Sequence, residues 1–429
     1  MARSSSPKQL QNAVDVDGLF FPQRESLGFD SRESTPGVKR KIVIAAADAR
    51  SFRVASKLLD ELADVQASTN TIERICLNAG NDLQVAADRD WKDVLTGQSI
   101  DPEVAVVLYD GGRIRTREPN QGPGVHLNGK GWNETKNAIF VSATSAVSDV
   151  DPEPEPPKCF FNPNHVAKLT ETAKTKELTG SNDAVPSPKK KKKPKKKRPA
   201  HKPKRILRTV LSSMKNSTEF GKKMKKEAAR RNFANASRKA FVADGLACNW
   251  TIHAEHFRDY VPILDFVHAV TYVYRVSIIC HGKCEQAWTS YTDWMRAIWQ
   301  GNAASVISEL LEHQRRIGPP EANTPDDDPR EQLRIVIQYL TNNLGRMKYD
   351  VYRMQGLPTT SAWMESAVKE VNYRIKGTEM FWNNPDGAEA ILHIRAASLS
   401  DDSRLNRFLA GRLGSAVVRR PTESPQLAA

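Results

Sequence analysis

Three short apolar runs that each stop at an aspartate constrain this chain more than any other feature. They are VAVVLYDGG, reaching Asp110, KAFVADG, reaching Asp244, and VPILDF, reaching Asp265. Valine-rich runs of this length, bounded by acid or glycine, read as buried strands. EVAVVLYDGGRIRTRE reads as an apolar strand, a Gly-Gly turn and an alternating strand. NAIFVSATSAV adds a further strand, so an antiparallel meander is expected.

Helical periodicity occupies much of the rest. Val54, Leu58, Leu59 and Leu62 mark one helix, and VQAST breaks it. Ile72, Ile75 and Leu77 mark a second, with Asn70 and Glu73 as its expected cap. Two helices across a tight turn fit a helix-turn-helix or a plain helical hairpin. Residues 251–258 read as helix, and Ala269 to Met354 as a helical block containing Trp288, Trp294 and Trp299. A last helix carries Met364, Ala367, Val368, Val371 and Ile375 on one apolar face, with Ser361 as its expected N-cap. The order predicts an α/β fold: a mixed sheet flanked by helices and interrupted by an all-helical insertion.

The expected organisation is a disordered stretch over 1–38 and a helical, helix-turn-helix-like domain over 39–100. First strands follow over 101–150, then a linker with a basic tract over 151–205. The remaining sheet falls at 206–270, the helical insertion at 271–355, the last helix and its surroundings at 356–413, and a disordered tail at 414–429.

Charge is concentrated. The chain carries +14, and Lys189 to Arg205 holds 12 Lys/Arg and no acid, so 14 less 12 leaves +2 for everything else. Such a tract favours polyanions. No apolar run has the ~18 residues needed to span a bilayer, and no signal peptide is evident, so a cytoplasmic protein is expected. Five scattered cysteines suggest a reducing compartment, not a disulfide framework. CHGKC (Cys280 to Cys284) lacks a second ligand pair and reads as a helix end, with a zinc site as the alternative.

Carboxylates at the ends of neighbouring strands sit at a sheet rim, and converging carboxylates suit Mg²⁺. The alternative reading makes each aspartate a turn starter. Arg113, Arg115 and Arg117 alternate along one strand and so share a face, either for DNA or for solvent.

YDGGRIRTRE, GVHLNGKGWNETKNAIF, DPEPEPP, EFGKKMKKEAARRNF, VADGLACNW, ILDFVHAV, LTNNLGRMKYDVYRMQGLP, MESAVKEVNYRIKGTEMFW and GAEAILHIRA occur in that order. Together they resemble a bacterial insertion-sequence transposase family, the Kra-type elements, related to Mutator-like transposases, over about Arg50 to Ser400. The resemblance implies an RNase H-like catalytic domain with an Asp-Asp-Glu triad at Asp110, Asp244 and Glu365, which would hold two Mg²⁺ (or Mn²⁺) ions. It implies a second-shell pair at Asp265 and His268; Asp265 in place of Asp244 is the alternative triad. Lys369, Asn372, Arg374 and Lys376, beside Glu365, become candidate DNA contacts. The implied partners are terminal inverted repeats, target DNA and further copies of the chain in a homo-oligomer; the implied setting is the bacterial nucleoid. Three stretches depart from the family pattern: Thr359 to Ala362 lacks the usual glycines, Gly377 to Glu379 replaces a small turn, and the Lys189 to Arg205 run is longer and more basic than is typical. A non-catalytic nucleic-acid-binding protein and a nuclease without strand transfer are the rival readings.

Overall fold

The computed structural model describes residues 34–89, 101–117, 131–179, 199–376 and 381–412. The expected tail and most of the lysine tract lie outside those residues. In chain order the elements are α1 (Pro36–Asp48), α2 (Phe52–Ala63), α3 (Thr69–Asp88), β1 (Val104–Arg115), β2 (Trp132–Thr144) and α4 (Pro163–Thr179). There follow β3 (Lys204–Ser213), α5 (Ser217–Arg230), β4 (Arg238–Ala243), α6 (Ala247–His256), β5 (Val261–Leu264) and α7 (Phe266–His281). The chain continues with α8 (Glu285–Trp299), α9 (Ala303–Ile317), α10 (Pro329–Asn343), α11 (Tyr349–Met354), α12 (Ala362–Ile375), α13 (Pro385–Ser398) and α14 (Arg404–Ala410).

The five strands form one mixed sheet in the order β3-β2-β1-β4-β5. β1, β2 and β3 pair antiparallel, β4 lies parallel to β1, and β5 lies parallel to β4. Two expectations need correcting. Gly111 and Gly112 do not turn: β1 runs through them, paired with Lys136 and Thr135 of β2. β3 was not expected, because its first residues look like the end of the basic tract. Its positive charges are held individually. Arg208 donates to Glu370 at 3.1 Å and to the Leu399 carbonyl at 2.9 Å, and Arg205 lies 3.7 Å from Asp401.

The N-terminal helices start earlier than expected. Thr35 caps α1, with Pro36 at its first position. Ser68, not Asn70, caps α3 by accepting from the Thr71 amide at 3.2 Å. α3 buries Ile72, Ile75, Cys76, Ala79, Gly80 and Leu83. Its partner across the interface is α13: a Cβ on Gly80 would collide with the Ala390 backbone, so only glycine lets the two helices approach this closely. One continuous core therefore runs from Ile42 to Leu409. Among the described residues, no helix is long and apolar enough to cross a membrane.

The insertion is helical as expected. Trp294 and Trp299 are core residues: their indoles donate to Glu309 at 2.6 Å and to the Glu153 carbonyl at 2.8 Å. Gly282, at φ +73°, ends α7 between Cys280 and Cys284, which fits the helix-end reading of CHGKC.

Candidate active site

Sheet register places the first two acids at the same end of the ladder between β1 and β4. Leu108 of β1 pairs with Val242 of β4 in a parallel ladder. The ladder ends there; Asp110 lies two residues further on in β1, opposite Asn137 of β2, and Asp244 lies two residues further on, just past β4, at the same end of the ladder. Asp110 is buried. Asp244 stands at the first position past β4, where Asn249 Nδ2 donates to Oδ1 at 2.5 Å and the Leu246 amide at 3.2 Å.

Asp265 joins this rim to the last helix. Its amide donates to the Ala243 carbonyl at 2.9 Å, tying it to the residue before Asp244. Its carboxylate caps α7 through the Val267 amide at 3.1 Å. The same carboxylate accepts from the Ser361 amide at 3.1 Å and the Ser361 hydroxyl at 2.7 Å. Ser361 precedes α12, so its hydroxyl anchors the helix to Asp265 and does not cap it as expected. His268 Nε2 lies 3.9 Å from Asp265 Oδ2. The two form a pair behind the rim, and Asp265 is 1% exposed, too deep to meet a substrate.

Glu365 is half-buried in the first turn of α12. All five residues expected on the apolar face of that helix are buried, and α12 packs on β1, β2 and α13. Asp110 and Asp244 thus each lie two residues past the last ladder pair, at the same end of the ladder between neighbouring strands. The start of α12, just before Glu365, is tied to the same rim through Ser361 and Asp265. Among the described residues, no three His, Cys, Asp or Glu side chains form a group that could hold a metal ion. In donor chemistry, all-carboxylate oxygen suits Mg²⁺. Three like charges without a cation repel, which favours an open arrangement.

The basic candidates divide. Arg113 is exposed and Arg115 half-buried on the same face of β1, and Arg117 follows them. Arg115 and Lys376 both lie over the Trp132 ring, at 4.6 and 5.1 Å from its centroid. Trp132 thus gathers cations from β1 and the end of α12 at one place. Lys369 is exposed and Asn372 half-buried. Arg374 must be withdrawn as a DNA contact. It is 1% exposed, donates to the Ala46 carbonyl at 2.7 Å and stacks over Phe52 at 4.6 Å. Burial presses its pKa down to about 10. Its place on the apolar face was readable, three residues after Val371 and seven after Ala367.

Sequence reasoning passed over several neighbours. Glu134 and the buried Lys136 form an ion pair at 3.0 Å on β2. Burial raises the Tyr109 phenol, and Cys248, Glu134, Asp244 and Asp110 raise it further. Burial also raises the Cys248 thiol, followed by Asp244 and Glu134. Negative charge therefore collects at this end of β1. The available signal was the alternation of Glu134 and Lys136 in WNETKNAIF. Tyr339 of α10 donates its hydroxyl to the Asp244 carbonyl at 2.8 Å, a contact across the insertion that no local pattern announces.

No family model matches the chain, and the search of curated proteins returns no match.

Proposed function

We propose that the chain is a DNA transposase of the Asp-Asp-Glu kind, built on an RNase H-like domain. The observation that carries this reading is the β1–β4 register, which leaves Asp110 and Asp244 at the same end of the ladder between neighbouring strands, while Asp265 fastens the start of the Glu365 helix to that end. Three antiparallel strands continued by two parallel ones, with helices on the sheet, support the RNase H-like assignment. Asp110, Asp244 and Glu365 are the residues that would hold Mg²⁺ or Mn²⁺. Bound divalent cations supply activation of an attacking oxygen and stabilisation of a leaving one in phosphodiester chemistry.

The chain's own residues supply position. Asn249 and the Leu246 amide fix the Asp244 carboxylate. Asp265 and Ser361 fix the first turn of α12. Arg113, Arg115, Lys369 and Lys376 offer cations for the backbone of a strand laid across the rim, and such contacts weaken with salt. The reaction proposed is hydrolysis of a phosphodiester at the element end, leaving a 3′-hydroxyl, then attack of that hydroxyl on a target phosphodiester. The attack forms the new P–O bond as the target's own P–O3′ bond breaks, and its 3′-oxygen leaves as a hydroxyl. Two ends must be held together, which calls for a homo-oligomer.

The test is incubation with Mg²⁺ and DNA carrying the repeats that flank the coding region. Cutting and joining by the parent are expected, with at least ~100-fold loss in Asp110→Ala and Glu365→Ala. Undiminished joining by either variant, or cleavage in EDTA, overturns the reading. Cutting without joining assigns a nuclease instead. The non-catalytic rival draws on the absence of a three-acid cluster among the described residues, and requires that no acid substitution alter the outcome.

A further inference from the structure

We propose that the outward face of α2 docks on the same face of a second copy of this chain. This gives the homo-oligomer of the reading above its contact surface, and it needs neither DNA nor the acid rim. α2 has two unlike sides. Ala55 and Leu59 are buried against the core, and the Ser56 hydroxyl donates to the Ala67 carbonyl at 2.7 Å, which closes the inner side. On the outer side Val54, Leu58 and Leu62 are 43%, 41% and 79% exposed. Their spacing of four residues lines them up in one stripe along the helix. Single apolar side chains on a surface are ordinary, whereas three large aliphatics in one line mark a contact surface.

The charges beside the stripe say what covers it. Arg53, Lys57 and Glu61 are exposed and follow one edge of the stripe, also four residues apart. None of the three has an ion-pair partner among the described residues. The two cations stand toward the start of the helix and the acid toward its end. Let two copies of α2 lie antiparallel about a two-fold axis beside Leu58. Leu58 then meets its own counterpart, and Val54 meets Leu62 of the second copy. Arg53 and Lys57 flank Glu61 of the second copy, and the symmetry repeats the contact. A parallel pairing leaves the two charged edges on opposite sides of the contact. Self-complementarity of this kind is what a two-fold interface requires. A partner of one charge sign matches only half of the edge and is repelled by the rest. The 12 residues of α2 span about 18 Å, so the contact is small and the dimer a weak one.

The test is sedimentation velocity of the full chain at low salt, without DNA or divalent metal, from about 2 to about 200 μM. The parent is expected to pass from monomer to dimer within that range. Leu58→Glu is expected to weaken association at least ~20-fold, because it buries a charge at the axis. Lys57→Glu makes the edge acidic and Glu61→Lys makes it basic. Each alone is expected to weaken association roughly tenfold, through two lost ion pairs and two new repulsions. Mixed in equal amounts, the two variants are expected to dimerise about as well as the parent, since each supplies the charge that the other lacks. All three positions are exposed, so parent-like thermal unfolding at low concentration is expected. A parent that stays monomeric throughout overturns the proposal and leaves the stripe to another occupant. Association that Leu58→Glu does not weaken, or no recovery in the mixture, overturns it as well. The cleavage assay on the acid rim is read separately, so either result leaves the transposase reading to its own test.

Discussion

Asp265 shows how a buried residue can govern a site that it does not enter. It makes bonds to Val267, Ser361 and the strand-end residue Ala243, at almost no exposure. Asp265→Ala removes a cap and leaves the Ser361 amide without its acceptor. A loss of about 2–3 kcal/mol is expected in urea denaturation, together with, on the proposed function, lost DNA cleavage. Ser361→Ala, which keeps the amide bond, is expected to cost only about 1 kcal/mol. Glu389 offers a second test, through pH. Burial alone would raise its carboxyl, but His393, Ser213 and the Met214 amide hold it at about 2 in the folded chain. A depressed carboxyl contributes stability above its unfolded value near 4.5, and that contribution disappears as pH falls toward 2. Glu389→Gln is therefore expected to cost about 3 kcal/mol at pH 7, with the gap from the parent narrowing steadily below about pH 4.5. Urea titrations at pH 7, 5, 4 and 3 measure it.

At the scale of elements, what was legible followed from periodicity. The apolar runs reaching Asp110, Asp244 and Asp265 and the apolar face of α12 could all be read because each declares itself within a dozen residues, although β1 does not end at Asp110 but continues to Arg115. What was hidden depends on distant partners. β3 begins with Lys204 and Arg205, and its character appears only where Arg208 meets Glu370 and Leu399. Gly111-Gly112 suggests a turn until β2 lies alongside. Arg374 looked like a surface cation because charge outweighed its position on the apolar face. The α3–α13 contact was also invisible, since glycine in a helix ordinarily weakens it by about 1 kcal/mol. Here the order reverses. Gly80→Ala improves helix propensity but is expected to destabilise the protein by about 1–2 kcal/mol, because the Ala390 backbone occupies the space. Gly345→Ala, with nothing within 4 Å, is the control and should be close to neutral in thermal denaturation.

For the molecule as a whole, the N-terminal helices are part of the structural body. α3 packs on α13, and Arg374 links α12 to Ala46 and Phe52. The expectation of a separate helix-turn-helix-like unit must accommodate this contact. It leaves α3 an outward face carrying Glu73, Asn78, Asn81 and Asp82, with little positive charge for phosphates. A chain beginning after residue 90 is expected to lose its single cooperative unfolding transition and to aggregate, because the α13 face loses its cover. Calorimetry and light scattering on the truncated protein check this.

The central strand, β1, has one neighbour close in sequence and one far away. β2 ends at Thr144, but β4 does not begin until Arg238. On a ribosome making ~5–20 residues per second, roughly 5–20 s pass between the two. Throughout that interval Val104 to Leu108 presents an apolar, hydrogen-bonding edge with nothing to pair with, the kind of edge that recruits other chains. Glu365 emerges later still, so a nascent chain cannot assemble the three acids before most of its length has been made. Translation thus carries two opposite effects from one topology: a period of exposure to misassembly, and a delay that keeps unfinished copies from assembling the three acids.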